Sequence, residues 1–255
     1  MQKNRRHIGI LNQLISARKH NRKLFVVLLD PDHAQGQALE QMIDKGKSAE
    51  VDMFFVGGSL MTSDGMDDCL ETIREVSGIP SILFPGNPIQ LSEKADALLY
   101  LSLISGRNAE LLIGNHVVTA PFLMKSQVEI MPTGYMLIDG GAPTTVSYIS
   151  NTLPIPADKP DIAMATAMAG QLLGLQLIYL DAGSGAKNPV SAEMIAQVRK
   201  AVDLPIIVGG GIRTPEQAAR AAQAGADVIV VGNQLEENAE LVFEMARTVH
   251  AVNYA

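Results

Sequence analysis

The 255-residue chain is 47% hydrophobic and carries a formal net charge of −7, which excludes a disordered polymer and argues against nucleic acid as a partner, since a phosphate backbone demands clustered Lys and Arg. Its single cysteine, Cys69, excludes an intrachain disulfide and suits a reducing compartment. No apolar run is long enough to span a bilayer and the charged N-terminus lacks a signal-peptide core, so a cytoplasmic protein is expected.

Taken in order, the chain opens with a basic cluster, Lys3, Arg5 and Arg6, followed by Arg18, Lys19, Arg22 and Lys23, which reads as a solvated helix face. Residues 8–19 carry Ile10, Leu11, Leu14 and Ile15 at helical spacing and predict an amphipathic helix, placed before the first strand, that plugs or flanks the sheet. The apolar run 24–29 predicts that first strand, ending at Asp30-Pro31-Asp32-His33. Residues 37–49 read as helix, 51–56 as a strand ending in Gly57-Gly58-Ser59, and 67–76 as a helix closed by Gly78. Residues 81–84 form a third strand, but the connection to Ala97 is too short and proline-bearing for a helix, so the third unit is expected to be degenerate. A fourth strand over 98–104 and a helix over 110–124 follow, then a fifth strand placed at 134–138, closing on Asp139-Gly140-Gly141. Residues 142–160, with four prolines and many Ser and Thr, read as a long lid or binding loop, and 161–173, rich in Ala and Met, as a buried helix.

Strand six, 177–180, runs into Asp181-Ala182-Gly183-Ser184-Gly185, and Ser191 caps a helix bearing Met194, Ile195, Val198 and Val202 on one face. Strand seven, 205–208, stops at Gly209-Gly210-Gly211. Thr214-Pro215-Glu216-Gln217 then spells a capping box for a helix that runs to Ala224 and ends at Gly225. Strand eight, 227–231, ends at Gly232-Asn233, and a last helix covers 241–252. Eight strands alternating with helices predict a parallel sheet. Over residues 1–255 it closes best as a single (β/α)8 TIM-barrel domain with an extra N-terminal helix, an open doubly wound sheet being the other solution.

In such a barrel the active site lies where the strands end. Glycines and small polar residues stand there on strands six to eight, and Asp30, Asp32 and His33 on strand one, with Ser59 on strand two. One pole can cradle a phosphate through bare amides and the other can offer oxygen ligands to Mg²⁺. Each group also has a plainer reading: Gly209 to Gly211 as a tight turn, Asp30 as a cap, His33 as a solvated loop residue, Asp139 as a turn residue, Met164 to Met168 as core, Cys69 as structural. The glycine run before a capped helix, matched by Gly232 one unit later, favours phosphate. It does not say which reaction.

Seven segments in order, LLDPDH (28–33), FVGGS (55–59), FPGNP (84–88), IMPTGYMLIDGG (130–141), IYLDAGSGA (178–186), VGGGIRTPEQA (208–218) and VIVVGN (228–233), resemble the geranylgeranylglyceryl phosphate synthases and their bacterial relatives. The resemblance implies a Mg²⁺-dependent prenyltransferase on a barrel fold, in which the 3-hydroxyl of sn-glycerol 1-phosphate attacks a polyprenyl diphosphate, normally geranylgeranyl diphosphate. The products are diphosphate and an ether lipid precursor of phospholipid synthesis. It further implies that Asp30 and Ser59 serve the magnesium, and that Tyr179, Leu180, Asp181, Ala182, Gly183, Ser184 and Gly185, with Gly210, Gly211, Gly232 and Asn233, hold glycerol phosphate. A homo-oligomer, with transient membrane contact for product release, is also implied by it. The tail groove is expected along Tyr100 and the loop after Gly141. One position departs from the family pattern: Asp181 stands where a glutamate is the candidate base, one methylene shorter. A sugar-phosphate isomerase or aldolase, and a non-catalytic phosphate- or lipid-binding barrel, remain the rival readings.

Overall fold

The computed structural model describes residues 9–33 and 35–252; Lys3, Arg5, Arg6 and Ile8 of the first expected features lie outside the described residues. Its helices and strands are α1 (Ile10–Lys19), β1 (Leu24–Leu29), α2 (Gly36–Ser48), β2 (Met53–Val56), α3 (Met66–Val76), β3 (Ser81–Leu83), β4 (Ala97–Leu103), α4 (Asn115–Leu123), β5 (Glu129–Leu137), α5 (Thr145–Ser150), α6 (Pro160–Leu172), β6 (Leu177–Asp181), α7 (Ala192–Ala201), β7 (Ile206–Gly209), α8 (Pro215–Gln223), β8 (Val228–Val231), α9 (Asn233–Glu237) and α10 (Leu241–Ala251). All eight strands pair in parallel and in sequence, and β1 closes on β8 with Leu24 opposite Val228. The chain is therefore a (β/α)8 barrel.

Period-2 alternation explains why the strands are apolar throughout. Val26, Phe55, Leu99, Leu137, Tyr179, Ile207 and Val230 fill the barrel interior, while their neighbours Val27, Phe54, Leu98, Met136, Leu180, Val208 and Ile229 pack outward against the helices. The N-terminal mouth of the interior is plugged by α1, whose Ile10, Leu14 and Ala17 join the inner cluster. That helix has no side-chain cap of its own. Glu129 at the start of β5 supplies one, accepting from Ile10 N at 2.6 Å and Leu11 N at 3.1 Å. Nearby, the buried Asp227 accepts from Ile206 N at 2.8 Å and from Arg199 Nη1 at 3.0 Å, with Lys23 Nζ at 3.9 Å.

Several local expectations are corrected. β5 starts at Glu129 and runs through Pro132 and Gly134 rather than beginning at 134; proline removes one donor there, but register with β4 is kept and Pro132 O still accepts from Gln176 N at 2.8 Å. The helix expected over 110–124 begins as a π-helical turn, Glu110–Gly114, and continues as α4 with Pro121 inside it. Within the expected loop 142–160 lies α5, because its Thr-rich start is a capping box in which Thr144 and Ser147 bond reciprocally. After β8 the chain makes the short α9 that the sequence pattern did not announce. Finally, α6 is not a buried helix: Ala163, Ala167 and Gly170 face inward, while Met168, Leu172 and Leu173 point out, Leu172 being 86% exposed. No helix joins β3 to β4, as the short connection implied.

Removing the Glu129 cap tests how far α1 is held by it. Glu129→Ala is expected to lower unfolding stability by about 1–2 kcal/mol in urea titrations without altering the far-UV spectrum, the range typical of a lost N-terminal cap near a helix dipole.

Candidate functional site

The C-terminal ends of the strands open into one cavity of about 730 Å³. At its centre stands Asp181, the last residue of β6. Alternation places Leu177, Tyr179 and Asp181 on the inner side of that strand. The carboxylate is buried; Oδ2 accepts from Tyr135 Oη at 2.5 Å and Oδ1 from Gly183 N at 2.8 Å. Burial raises its pKa, and the two hydrogen bonds work against that rise. Tyr135 and Tyr179 are held as neutral phenols, both pushed well above the usual value by burial first and by the neighbouring carboxylate second. An aromatic wall completes this centre: Phe84 stacks on Tyr179 at 5.0 Å, and Tyr135 meets Tyr179 edge-on at 5.5 Å.

On one side of Asp181 lies a cup made by the loops after β6, β7 and β8, with Ser184, Gly185, Gly210, Gly211, Gly232 and Asn233 on its wall. The glycines there are required by close approach. A Cβ on Gly209 would lie 2.6 Å from Tyr179 Oη, one on Gly210 2.5 Å from Asp181 Oδ1, and one on Gly211 2.6 Å from Asn188 O. Gly210 and Gly211 also have φ of 78° and 69°, a left-handed backbone. The loops are laced by side chains: Ser184 Oγ donates to Asn233 Oδ1 at 3.1 Å, and Arg213 donates to the carbonyls of Ala186 and Lys187 at 2.7 and 2.8 Å. Leu180 and Ala182 are different. Their side chains pack in the outer layer, Ala182 N is bonded to Gly209 O at 3.1 Å, and Gly183 N is bonded to Asp181, so these three support the cup rather than line it.

Across the cavity, Asp30 and Ser59 line the opposite pole. Asp30 is half-buried; burial raises its pKa, and the bond from Asp32 N to Oδ1, 3.0 Å, opposes the rise. Gly58 leaves room for it, a Cβ there falling 2.8 Å from Asp30 Oδ2. Asp32 is not a spare ligand. It accepts from Thr62 N, Thr62 Oγ1, Ser63 N and Ser63 Oγ at 2.6, 3.0, 3.0 and 2.5 Å, and the Ser63 hydroxyl foremost holds its carboxyl down at about 2. Asp32 thus pins the loop that carries Ser59. Among the described residues no three His, Cys, Asp or Glu side chains converge to hold a metal by themselves. One carboxylate and a hydroxyl fit an ion such as Mg²⁺ only where phosphate oxygens and water complete the shell. His33 lines the rim of the same cavity, its Nδ1 lying 3.4 Å from Glu236 Oε2, whereas Asp139 is a turn residue accepting from Gly141 N at 2.8 Å.

A third arm is apolar. No helix joins β3 to β4, and the cavity extends past Leu98, Tyr100 and Leu101 to the inner face of α4, with Val146 and Ile149 of α5 above it. Tyr100 lines this arm and is fixed there, its hydroxyl donating to His116 O at 2.8 Å and its ring meeting His116 edge-on at 4.4 Å. Burial lowers the pKa of His116, whose Nδ1 is buried without a hydrogen-bond partner. The buried Gln90, in the connection from β3 to β4, ties the loops after β2 and β3 together: it accepts from Gly86 N and donates to Gly58 O, both at 2.9 Å. Phe84, Tyr135, His116 and Arg213 are site residues that the sequence pattern did not single out. Inward parity on β5, two residues per repeat from Leu137, would have found Tyr135; the others depend on tertiary placement.

The model of the PcrB family matches residues 16–252. The chain is 57% identical to a geranylgeranylglyceryl phosphate synthase of Spirosoma linguale, over 91% of this chain and 93% of that one. It is 53% identical to the enzyme so named from Chitinophaga pinensis, over 96% and 97%. Among solved structures, the (S)-3-O-geranylgeranylglyceryl phosphate synthase of Thermoplasma acidophilum, in complex with its substrate sn-glycerol-1-phosphate, superposes with a TM-score of 0.91 at 32% identity, covering 96% of this chain and 100% of that one.

The lock made by Asp32 has a pH signature. Its folded pKa lies below the ordinary carboxylate value of about 3.9, so its stabilising contribution is complete above that value and lost as pH falls through about 2. The stability gap between wild type and Asp32→Asn, measured by urea denaturation, is expected to be flat from pH 7 to 4 and to shrink below pH 4.

Proposed function

The chain belongs to the PcrB family, and we propose that it joins geranylgeranyl diphosphate, as the polyprenyl donor, to the 3-hydroxyl of sn-glycerol 1-phosphate. The observation that carries this reading is the three-armed cavity around Asp181: a glycine-lined cup for one phosphate, a carboxylate pole for a diphosphate, and an apolar arm for a long tail. A barrel isomerase or aldolase acting on a sugar phosphate has no use for the third arm.

The chemistry is set by the placement of these groups. With its phosphate in the cup between Gly210–Gly211 and Gly232–Asn233, glycerol phosphate turns its free hydroxyls toward Asp181. The hydroxyl oxygen forms a bond to the allylic carbon as the bond from that carbon to the diphosphate oxygen breaks; the hydroxyl proton passes to an Asp181 oxygen, and the electron pair leaves with diphosphate. A carboxylate whose pKa burial has raised is the better proton acceptor. Tyr135 and Gly183 fix its orientation, so the shorter aspartate serves as base in the position where the resemblance implies glutamate. Phe84 and Tyr179 present π faces to the carbon on which positive charge develops, and their packing excludes water from it. Asp30 and Ser59 would hold Mg²⁺ together with the donor's phosphates, and that ion, when bound, would offset the charge growing on the leaving group.

The same reading makes the protein cytoplasmic and homo-oligomeric, with transient membrane contact for product release. Support for self-association comes from the stretches 111–124 and 162–175, which contain no Asp, Glu, Lys or Arg and expose Val117, Val118, Leu172 and Leu173. No helix among the described residues is long and apolar enough to cross a membrane.

Incubation with Mg²⁺, sn-glycerol 1-phosphate and labelled geranylgeranyl diphosphate is expected to yield an organic-extractable ether; its absence at every enzyme level would sink the reading. Asp181→Asn should cut kcat by about a hundredfold or more, and Asp181→Glu should retain more activity than that. In wild type the acid limb of kcat/KM should lie above the ordinary carboxylate range, because Asp181 must be ionised to accept the proton and its pKa is raised. Shortening Tyr100 to Ala should enlarge the apolar arm and improve use of donors longer than geranylgeranyl diphosphate relative to it, read as the ratio of kcat/KM values.

A further inference from the structure

Two anionic substrates must enter a chain whose formal net charge is −7. Among the described residues that line the cavity, Arg213 is the only lysine or arginine. It stands two residues beyond Gly211, at the rim of the cup, and is exposed. Its guanidinium is placed by two bonds: Nη1 donates to Lys187 O at 2.8 Å and Nη2 to Ala186 O at 2.7 Å. Its own amide donates to Gln217 Oε1 at 2.7 Å, which ties it to the capping box of α8.

The loop so gripped, between β6 and α7, is rich in glycine. Residues 183–188 contain Gly183 and Gly185 in left-handed conformations, φ 86° and 83°, and glycines of this kind leave an unrestrained loop many alternatives. One end is fixed from behind, where Gly140 O accepts from Lys187 N and Asn188 N at 3.0 and 2.9 Å. Ser184 is fixed to the loop after β8 through Asn233. Arg213 supplies the remaining side, a side-chain fork that links the loop after β7 to the loop after β6. A guanidinium suits this task because its donors are coplanar and diverge at a fixed angle onto two successive carbonyls; an ammonium cannot reproduce that.

The geometry points to Arg213 as the positioning residue of the acceptor's phosphate: it fixes the spacing of the two glycine loops and places a cationic side chain beside them. This rests on the prenyl-transfer reading for the identity of the acceptor. The anion cup itself is tested without that reading.

Two variants, Arg213→Gln and Arg213→Lys, should be compared with wild type in steady-state kinetics and in thermal unfolding with and without millimolar inorganic phosphate. For Arg213→Gln, the KM for glycerol 1-phosphate should rise about tenfold or more while kcat and the donor's KM stay within about twofold; Arg213→Lys, which restores charge without the fork, should fall between. Phosphate should raise the melting temperature of wild type and do so much less for Arg213→Gln. An unchanged acceptor KM in Arg213→Gln, or an equal loss in kcat and both KM values, would overturn the assignment, as would a phosphate shift that is absent in wild type or undiminished in Arg213→Gln. Wild type that responds to phosphate but makes no ether overturns the prenyl-transfer reading and leaves the Arg213 assignment to the thermal data.

Discussion

A carboxylate taken out of water at the end of β6 is the constraint on which this site depends. Burying a charge is costly unless hydrogen bonds compensate it, and Asp181 has two, from a phenol that is itself buried and from the amide two residues on. The second bond bends the chain at once into the turn that starts the glycine cup, with Gly183 at φ 86°. The first ties β6 to β5 and holds Tyr135 in the aromatic group with Phe84 and Tyr179. Carboxylate, glycine cup and aromatic wall are thus one hydrogen-bonded and packed unit.

The glycine run after β7 takes on a second meaning beside that carboxylate. Gly209 and Gly210 leave room for Tyr179 Oη and Asp181 Oδ1, so they serve the neighbouring strand before they serve any anion. Gly211 does the same for the backbone at Asn188. The glycine cup and the space around the buried Asp181 carboxylate therefore depend on the same three small residues. The other half of the cavity is shaped by what is missing: no helix joins β3 to β4, and the cavity spreads past Leu98 and Tyr100 toward α4.

Much of this was legible in the sequence because it is written in period and punctuation. Eight apolar runs, six of them ending in glycine or aspartate, announce the barrel, and the strand ends announce the residues at its mouth. Asp30, Ser59, Asp181 and the glycines of strands seven and eight do meet in one cavity. What escaped was what depends on a partner distant in sequence. Leu180 and Ala182 sit inside a matching motif, yet strand parity turns them away from the cavity. Asp32 looks as available as Asp30, and only the tertiary fold brings Thr62 and Ser63 onto it. The Ala- and Met-rich α6 reads as core from composition, but its small residues are the ones that face the sheet. Arg213 gives no local sign at all, since its carbonyl partners lie 26 and 27 positions earlier in the chain.

The central claim is that one acceptor molecule spans the glycine cup and the buried carboxylate. A crystal structure of the protein soaked with sn-glycerol 1-phosphate tests it most directly. The account predicts the phosphate against the amides of Gly210, Gly211, Gly232 and Asn233, with the 3-hydroxyl oxygen about 3 Å from an Asp181 oxygen. A phosphate bound at the Asp30 pole, or a glycerol directed away from Asp181, would contradict it.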